Sequence, residues 1–276
     1  MLQFLKQKQH NSAMESGDHS KNGVSPKNQR SRGNFLASVC FALLAVSIIF
    51  CGCSKDKDDN NGNGNGEEKV QLLKTMTIGG DYIIEYVYDE DDRITAILEY
   101  SNGVLQNTET FTYSGNDLIK VDIHGDDLSF NFSRNGNLIT NNEMNGGNPR
   151  VTTIELNSDG YPIKSEGDGY FGGTTIYQYQ DGNLVKVSQS DSYSSFDAQF
   201  KYDDKKSPFY HCKTPKWFMI MYYYKNCFGI KNNMTEVFVK YSDHENSTKL
   251  EYEYDDNGFP TKILDYGEFE LTFTYQ

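Results

Sequence analysis

A short pattern that recurs along the chain constrains its fold more than any other feature. Each copy has two aromatic or aliphatic residues separated by one other residue, then a polar turn with Asp, Asn or Gly, then Leu or Ile. The copies begin at Tyr86, Phe111, Phe130, Ile154, Tyr177 and Tyr252. Most neighbouring copies lie roughly 20 to 25 residues apart, a period that indicates one small structural unit repeated many times.

Each copy predicts a β-hairpin, because side chains alternate between the two faces of a strand and Asn-Gly or Asp-Gly favours a tight turn. Near the C-terminus, Leu271 and Phe273 alternate with Thr272 and Thr274. One face is therefore apolar and the other polar or charged, whereas a membrane-spanning barrel needs an apolar outer band. We predict an all-β domain over residues 70–276, a long antiparallel meander of about 16 short strands curved into a closed or nearly closed, soluble, barrel-like sheet.

The composition supports a folded, acidic domain. Aromatic residues make up 14% of the chain, too many for a disordered protein. Of 26 basic and 39 acidic residues, residues 1–52 hold six and two, so the rest of the chain carries 20 and 37, a net charge of −17. Such a surface repels phosphate backbones, and we therefore expect no nucleic-acid partner.

The N-terminal region predicts export. Residues 35–50 form an apolar run that follows Arg30 and Arg32. A run this short with basic residues before it is typical of a signal peptide, and we assign residues 1–52 to a signal of the lipoprotein type. An uncleaved membrane anchor is the alternative, and translation starts at either Met1 or Met14.

The end of this run resembles a lipobox. Small Gly52 precedes Cys53, which the resemblance makes the acylated first residue of the mature protein. The following residues, rich in Asp and Lys, resemble the acidic export tag of Bacteroidetes lipoproteins, which implies display on the outer face of the outer membrane. Residues 53–69 predict a flexible acidic and Asn-Gly tether. The lipid anchor is then the only contact with the membrane.

The hairpin units resemble the Tyr-Asp repeats of Rhs-type wall and shell proteins. Together with the lipobox, the tether and one insertion, they resemble more closely a family of Bacteroidetes lipoproteins of unknown function with a porin-like fold. That resemblance implies an architecture for most of residues 70–276. It implies no activity and no functional residues.

The insertion interrupts the meander at residues 207–234. Thr214 suits a helix N-cap, and Pro215 suits the first helical position. The apolar residues Trp217, Ile220, Met221 and Tyr224 are spaced i, i+3, i+4 and i+7. We predict one short apolar helix near residues 215–225, buried on several sides because its other faces are apolar too.

Three interpretations of this segment stay open. The helix is a plug in the concavity of the meander, or it offers a cluster of ligand-contacting aromatic residues, or the segment is a buried strand. Trp217, Tyr222 and Tyr223 are the contact residues in the second case. A helix also keeps Cys212 and Cys227 apart, because ten helical residues rise about 15 Å. We therefore predict two free, largely buried thiols.

No pattern of residues predicts catalysis or metal binding. His124, His211 and His244 have no metal-ligand spacing, and the acidic clusters at residues 89–92 and 255–257 fit turn chemistry better than a Ca²⁺ loop. We assign no catalytic residue, cofactor or metal.

Display on the cell surface and many tyrosines favour a non-catalytic module that binds a glycan or an envelope protein. The alternatives are a structural envelope or shell element and, third, a hydrolase.

Overall fold

The computed structural model describes residues 69–125, 128–168, 173–190, 195–223, 228–241, 244–265 and 269–276. The predicted signal peptide, nearly all of the predicted tether and Cys53 lie outside these ranges, so the predictions for them stay predictions.

Sixteen strands and one helix make up the described part of the chain. The strands are β1 Leu73–Ile78, β2 Tyr82–Tyr88, β3 Ile94–Ser101, β4 Val104–Ser114, β5 Asp117–Ile123, β6 Leu128–Asn135, β7 Leu138–Asn145, β8 Asn148–Leu156, β9 Pro162–Gly167, β10 Gly173–Gln180, β11 Asn183–Ser190, β12 Ser195–Lys206, β13 Asn232–Tyr241, β14 Glu245–Tyr254, β15 Pro260–Asp265 and β16 Phe269–Tyr275. The helix, α1, is Lys216–Tyr223.

The strands close into a barrel. Each pairs with its neighbours in the sequence, and β1 pairs antiparallel with β16, where Leu73 lies opposite Tyr275 and Ile78 lies opposite Leu271. The predicted antiparallel meander is confirmed, and of the two predicted forms it takes the closed one. Closure pairs the backbone groups that β1 and β16 would otherwise expose as sheet edges.

The end of the barrel that contains the insertion is called the insertion rim. It is formed by the connections after the even-numbered strands and by the two chain ends of the barrel, where the Leu72 amide donates to the Gln276 carbonyl at 3.1 Å. The insertion runs from the end of β12 at Lys206 to the start of β13 at Asn232. It is therefore slightly shorter than predicted, because the strand ladder resumes earlier.

Three turns at the insertion rim have the same hydrogen bonds. In the turn at residues 157–161, Oδ1 of Asn157 accepts from the amides of Asp159 and Tyr161 at 3.0 and 2.9 Å. Asp89 and Asp255 accept in the same way in their own turns. The fourth residue of each turn has a positive φ, which is 63° at Asp92, 80° at Gly160 and 79° at Gly258. Turn chemistry therefore accounts for both acidic clusters.

The two faces of the wall differ in chemistry. Apolar residues fill the inside and include Ile84, Phe111, Val121, Phe130, Ile154, Val187 and Phe273. Outward positions carry cross-strand ion pairs, for example Lys201 with Glu236 and Lys262 with Glu270, each at 2.7 Å. Among the described residues, the helix α1 is too short to cross a membrane.

Helix α1 lies inside the barrel at the insertion rim. Phe218 is 0% exposed, and its ring contacts the wall residues Phe111 and Phe132 with centroids 5.6 and 5.9 Å apart. The predicted short helix is confirmed. The predicted cap is not, because the Thr214 hydroxyl instead accepts from the Ile94 amide of β3 at 2.8 Å and so ties the insertion to the wall.

Candidate functional site

Two of the three predicted contact residues of the helix, Trp217 and Tyr222, contact side chains of the barrel core. Trp217 is 4% exposed, with its ring centroid 5.0 Å from that of Phe132. Tyr222 is half-buried and donates a hydrogen bond to the Glu109 carboxylate of β4. Tyr223 ends the helix, but its side chain lies outside the described part. Trp217 and Tyr222 both pack on Phe218 and do not present a shared surface to solvent, so their role as ligand contacts stays a prediction.

Several inward-facing tyrosines stabilise the barrel itself. Five of them donate their hydroxyl to a backbone carbonyl within the first three residues of the preceding strand. These bonds are Tyr113 to Ile94, Tyr179 to Pro162, Tyr202 to Leu184, Tyr252 to Met234 and Tyr275 to Pro260, at 2.6 to 2.8 Å. The tyrosine content is therefore weaker evidence for a sugar-binding surface than the sequence suggested.

A polar layer lies inside the wall, farther from the insertion rim. Its buried members include Glu99, Asn107, Glu109, Asn141, Glu143, Thr152, Ser165 and Thr175. Tyr82 donates to Glu99 at 2.7 Å, and burial raises the pKa of Tyr177 to about 12. Within the described ranges, no three His, Cys, Asp or Glu residues come together to hold a metal ion. Asn141 and Glu143 are its most deeply buried members, at 0% and 1% exposure.

A cavity that does reach solvent lies between the insertion and the wall. It measures about 240 Å³ and is called the insertion pocket. Its lining residues are Tyr161, Phe209, Tyr210, Cys212, Thr214, Lys216, Met219, Ile230 and Lys231. All but Tyr161 belong to the insertion, so the pocket exists only because that segment is docked on the barrel end.

Two tyrosine rings form walls of the insertion pocket. Tyr161 belongs to the turn at residues 157–161, and its ring packs on Tyr179 with centroids 5.0 Å apart. Tyr210 is 40% exposed, and its ring lies edge-on to those of His211 and Phe259 at 5.1 and 6.4 Å. Both rings are held by fixed neighbours, which suits them to bind a flat apolar surface with little loss of entropy.

The floor of the pocket includes a thiol. Cys212 is a free cysteine whose amide donates to the Phe209 carbonyl at 3.0 Å. Burial raises the pKa of the Cys212 thiol, which keeps it neutral and weakly nucleophilic. Cys227 lies outside the described residues, so the prediction of two free thiols stays a prediction.

A second depression, with a volume of about 310 Å³, lies on the outer wall across β10 to β13. Its lining includes Ile176, Phe196, Asp197 and Tyr241. Tyr241 is 37% exposed and stacks on His244 with centroids 4.5 Å apart. This residue provides a matched comparison for Tyr210.

Sequence reasoning placed the contact residues on the helix and missed Tyr161 and Tyr210. Tyr161 follows an Asp-Gly turn and Tyr210 lies in the loop before the helix, so neither position shows the periodicity of a binding surface. Only the docking of the insertion on the turn at residues 157–161 brings them to one cavity.

No family model and no curated protein matches the chain. Among solved structures, a porin-like protein from Bacteroides uniformis is similar at 15% identity and a TM-score of 0.50, over 75% of this chain and 97% of that one. A porin-like protein from Bacteroides vulgatus matches at 12% identity and a TM-score of 0.37, over 74% and 99% of the two chains. The first similarity shows that the barrel has a porin-like fold.

Proposed function

We propose that the protein is a non-catalytic binding module of the bacterial envelope and that it binds a glycan at the insertion pocket. The observation that carries this proposal is that Tyr161 and the exposed Tyr210 both line a cavity of about 240 Å³. Drug-sized ligands occupy roughly 300 to 1,000 Å³, so this pocket suits a smaller group such as one sugar unit. Tyrosine rings offer the flat amphipathic surface on which a sugar ring stacks.

We further propose that an acyl group on Cys53 holds the protein to the outer membrane, with the barrel facing the cell exterior. The barrel begins at the insertion rim, where the Gln71 amide donates to His211 Nδ1 at 3.0 Å. The predicted tether therefore joins the same rim that carries the pocket. Fully extended, it would reach at most roughly 55 to 60 Å, enough to hold the pocket clear of the membrane surface.

Mass spectrometry of the mature protein tests the anchor. We expect a diacyl or triacyl cysteine at position 53, and we expect Cys53→Ala to leave the protein unprocessed or released from the membrane. A mature protein that still begins at Met1 or Met14 would contradict the proposal.

A glycan array tests the binding function. We expect the purified full chain to bind a defined set of glycans, and we expect Tyr210→Ala to weaken that binding at least about tenfold, as loss of a stacked ring does. Tyr241→Ala is the matched control, because that tyrosine is about as exposed but lies on the outer wall. Capture of an envelope protein without any glycan binding would contradict a glycan site.

A structural role in the envelope is the second candidate. The polar outer wall with its cross-strand ion pairs favours it, because such a wall suits a spacer in water rather than a recognition surface. This role predicts an empty glycan array together with altered envelope integrity when the protein is absent. Glycan binding that depends on Tyr210 would contradict it as the main function.

A further inference from the structure

Two lysines of the insertion pocket lack the ion pairs that nearby lysines make. Lys213 pairs with Asp92 at 2.9 Å, and Lys205 pairs with Asp204 at 3.4 Å. Within the described ranges, neither Lys216 nor Lys231 has a carboxylate oxygen within 4.0 Å.

Both ammonium groups lie close to the same tyrosine. Lys216 Nζ is 4.6 Å from the ring centroid of Tyr161. Lys231 Nζ donates to the Asp181 carbonyl at 2.7 Å. A Cβ atom on Gly182 would lie 3.6 Å from the Tyr161 hydroxyl and 3.8 Å from Lys231 Nζ, so that ammonium and that hydroxyl border the same small space.

This arrangement favours a negatively charged ligand. Two like charges at one cavity repel each other, and an anion between them removes that repulsion. Hydrogen bonds from an ammonium group to a carboxylate or sulfate are also stronger than those to a neutral group. Tyr161 and Tyr210 line the same pocket and add apolar surface. This favours a ligand with an apolar part over a bare inorganic anion.

We propose that the insertion pocket recognises an anionic sugar unit, with Lys216 and Lys231 binding its carboxylate or sulfate and Tyr161 and Tyr210 packing on its ring. This inference rests on the proposed glycan-binding function and names the class of glycan. Both lysines are exposed, so the selectivity for charge is moderate and weakens as the salt concentration rises.

Calorimetric titration of the full chain in detergent tests the inference with three probes. These are an oligogalacturonate, its neutral methyl ester and a sulfated galactan oligosaccharide. We expect at least one charged probe to bind about tenfold or more tightly than the ester. The Lys216→Gln, Lys231→Gln double variant should lose that preference, while Lys213→Gln, which changes a paired lysine outside the pocket, should keep it.

The outcomes separate this inference from the proposed function. Tighter binding of the galacturonate identifies a carboxylate, and tighter binding of the sulfated probe identifies a sulfate ester. If the ester and both charged probes bind equally, the pocket has no preference for an anionic sugar and this inference is overturned. If all three also lose binding in Tyr210→Ala, the proposed glycan site itself stands. A preference for charge that persists in the double lysine variant would also overturn the inference. Binding of none of the probes, together with an empty glycan array, would overturn both proposals.

Discussion

At the scale of single residues, the first position of a repeated turn shows which property of a side chain matters. Asp89, Asn157 and Asp255 occupy equivalent positions and accept from the amides two and four residues later. A carboxylate and an amide serve equally, because each presents an acceptor oxygen to the turn.

Substitution of Asn157 tests this equivalence. Asn157→Ala removes the acceptor of two backbone amides and should lower the free energy of unfolding by about 1–2 kcal/mol. Asn157→Asp keeps the oxygen and should change stability by less than about 0.5 kcal/mol. Urea unfolding of the full chain measures both. Equal losses in the two variants would show that the side-chain oxygen does not hold the turn.

The inward tyrosines predict a distinctive response to alkali. Burial raises the pKa of Tyr88, Tyr179 and Tyr275 well above its ordinary value, and that of Tyr177 to about 12. The folded protein therefore holds protons that the unfolded chain releases near pH 10, so this contribution to stability is complete below pH 10 and falls as the pH rises above it.

Absorbance titration of the phenols checks this response. We expect a group of tyrosines to ionise only as the strand signal in circular dichroism disappears, at a pH above that of free tyrosine. Ionisation of all tyrosines in one step near pH 10, with the barrel intact, would contradict the burial of these tyrosines.

At the scale of elements, helix α1 belongs to the core of the barrel. Five consecutive residues, Trp217 to Met221, are each at most 5% exposed, although a lone helix of eight residues is too short to be stable in water. Its helical form therefore depends on the surrounding wall. The wall in turn depends on the helix, which fills the end of the barrel.

Truncation of Phe218 tests this dependence. Phe218→Ala should cost about 3–5 kcal/mol, because the ring has no exposed surface and contacts two wall residues. Ile176→Ala on the outer wall is the control and should change stability by less than about 0.5 kcal/mol. A loss below about 1 kcal/mol for Phe218→Ala would mean that the helix is only loosely attached.

The strands and the helix were predictable from local patterns, because alternation, turn chemistry and helical spacing act over a few residues. The β1 to β16 pairing was not, since it joins residues at the two ends of the domain and depends on the tilt of every strand between them. The pocket was hidden for the same reason. Tyr161 and Lys216 are far apart in the sequence, and only the docking of the insertion on the barrel end brings them together.

At the scale of the whole molecule, the barrel interior is apolar near the insertion rim and polar farther from it. The outer wall carries ion pairs, and the insertion occupies one end of the interior. The pocket, its two rings and its two lysines all depend on the docking of that segment. The described residues of the insertion should therefore belong to the same cooperative core as the strands.

Fluorescence of Trp217 tests this claim most directly, because it is the one tryptophan of the chain and lies at the centre of the insertion. We expect a blue-shifted emission that acrylamide quenches poorly in the native full chain. In urea, we expect this emission to change in one transition that coincides with the loss of strand signal. A water-like emission in the native protein, or a tryptophan transition that precedes strand unfolding, would contradict it.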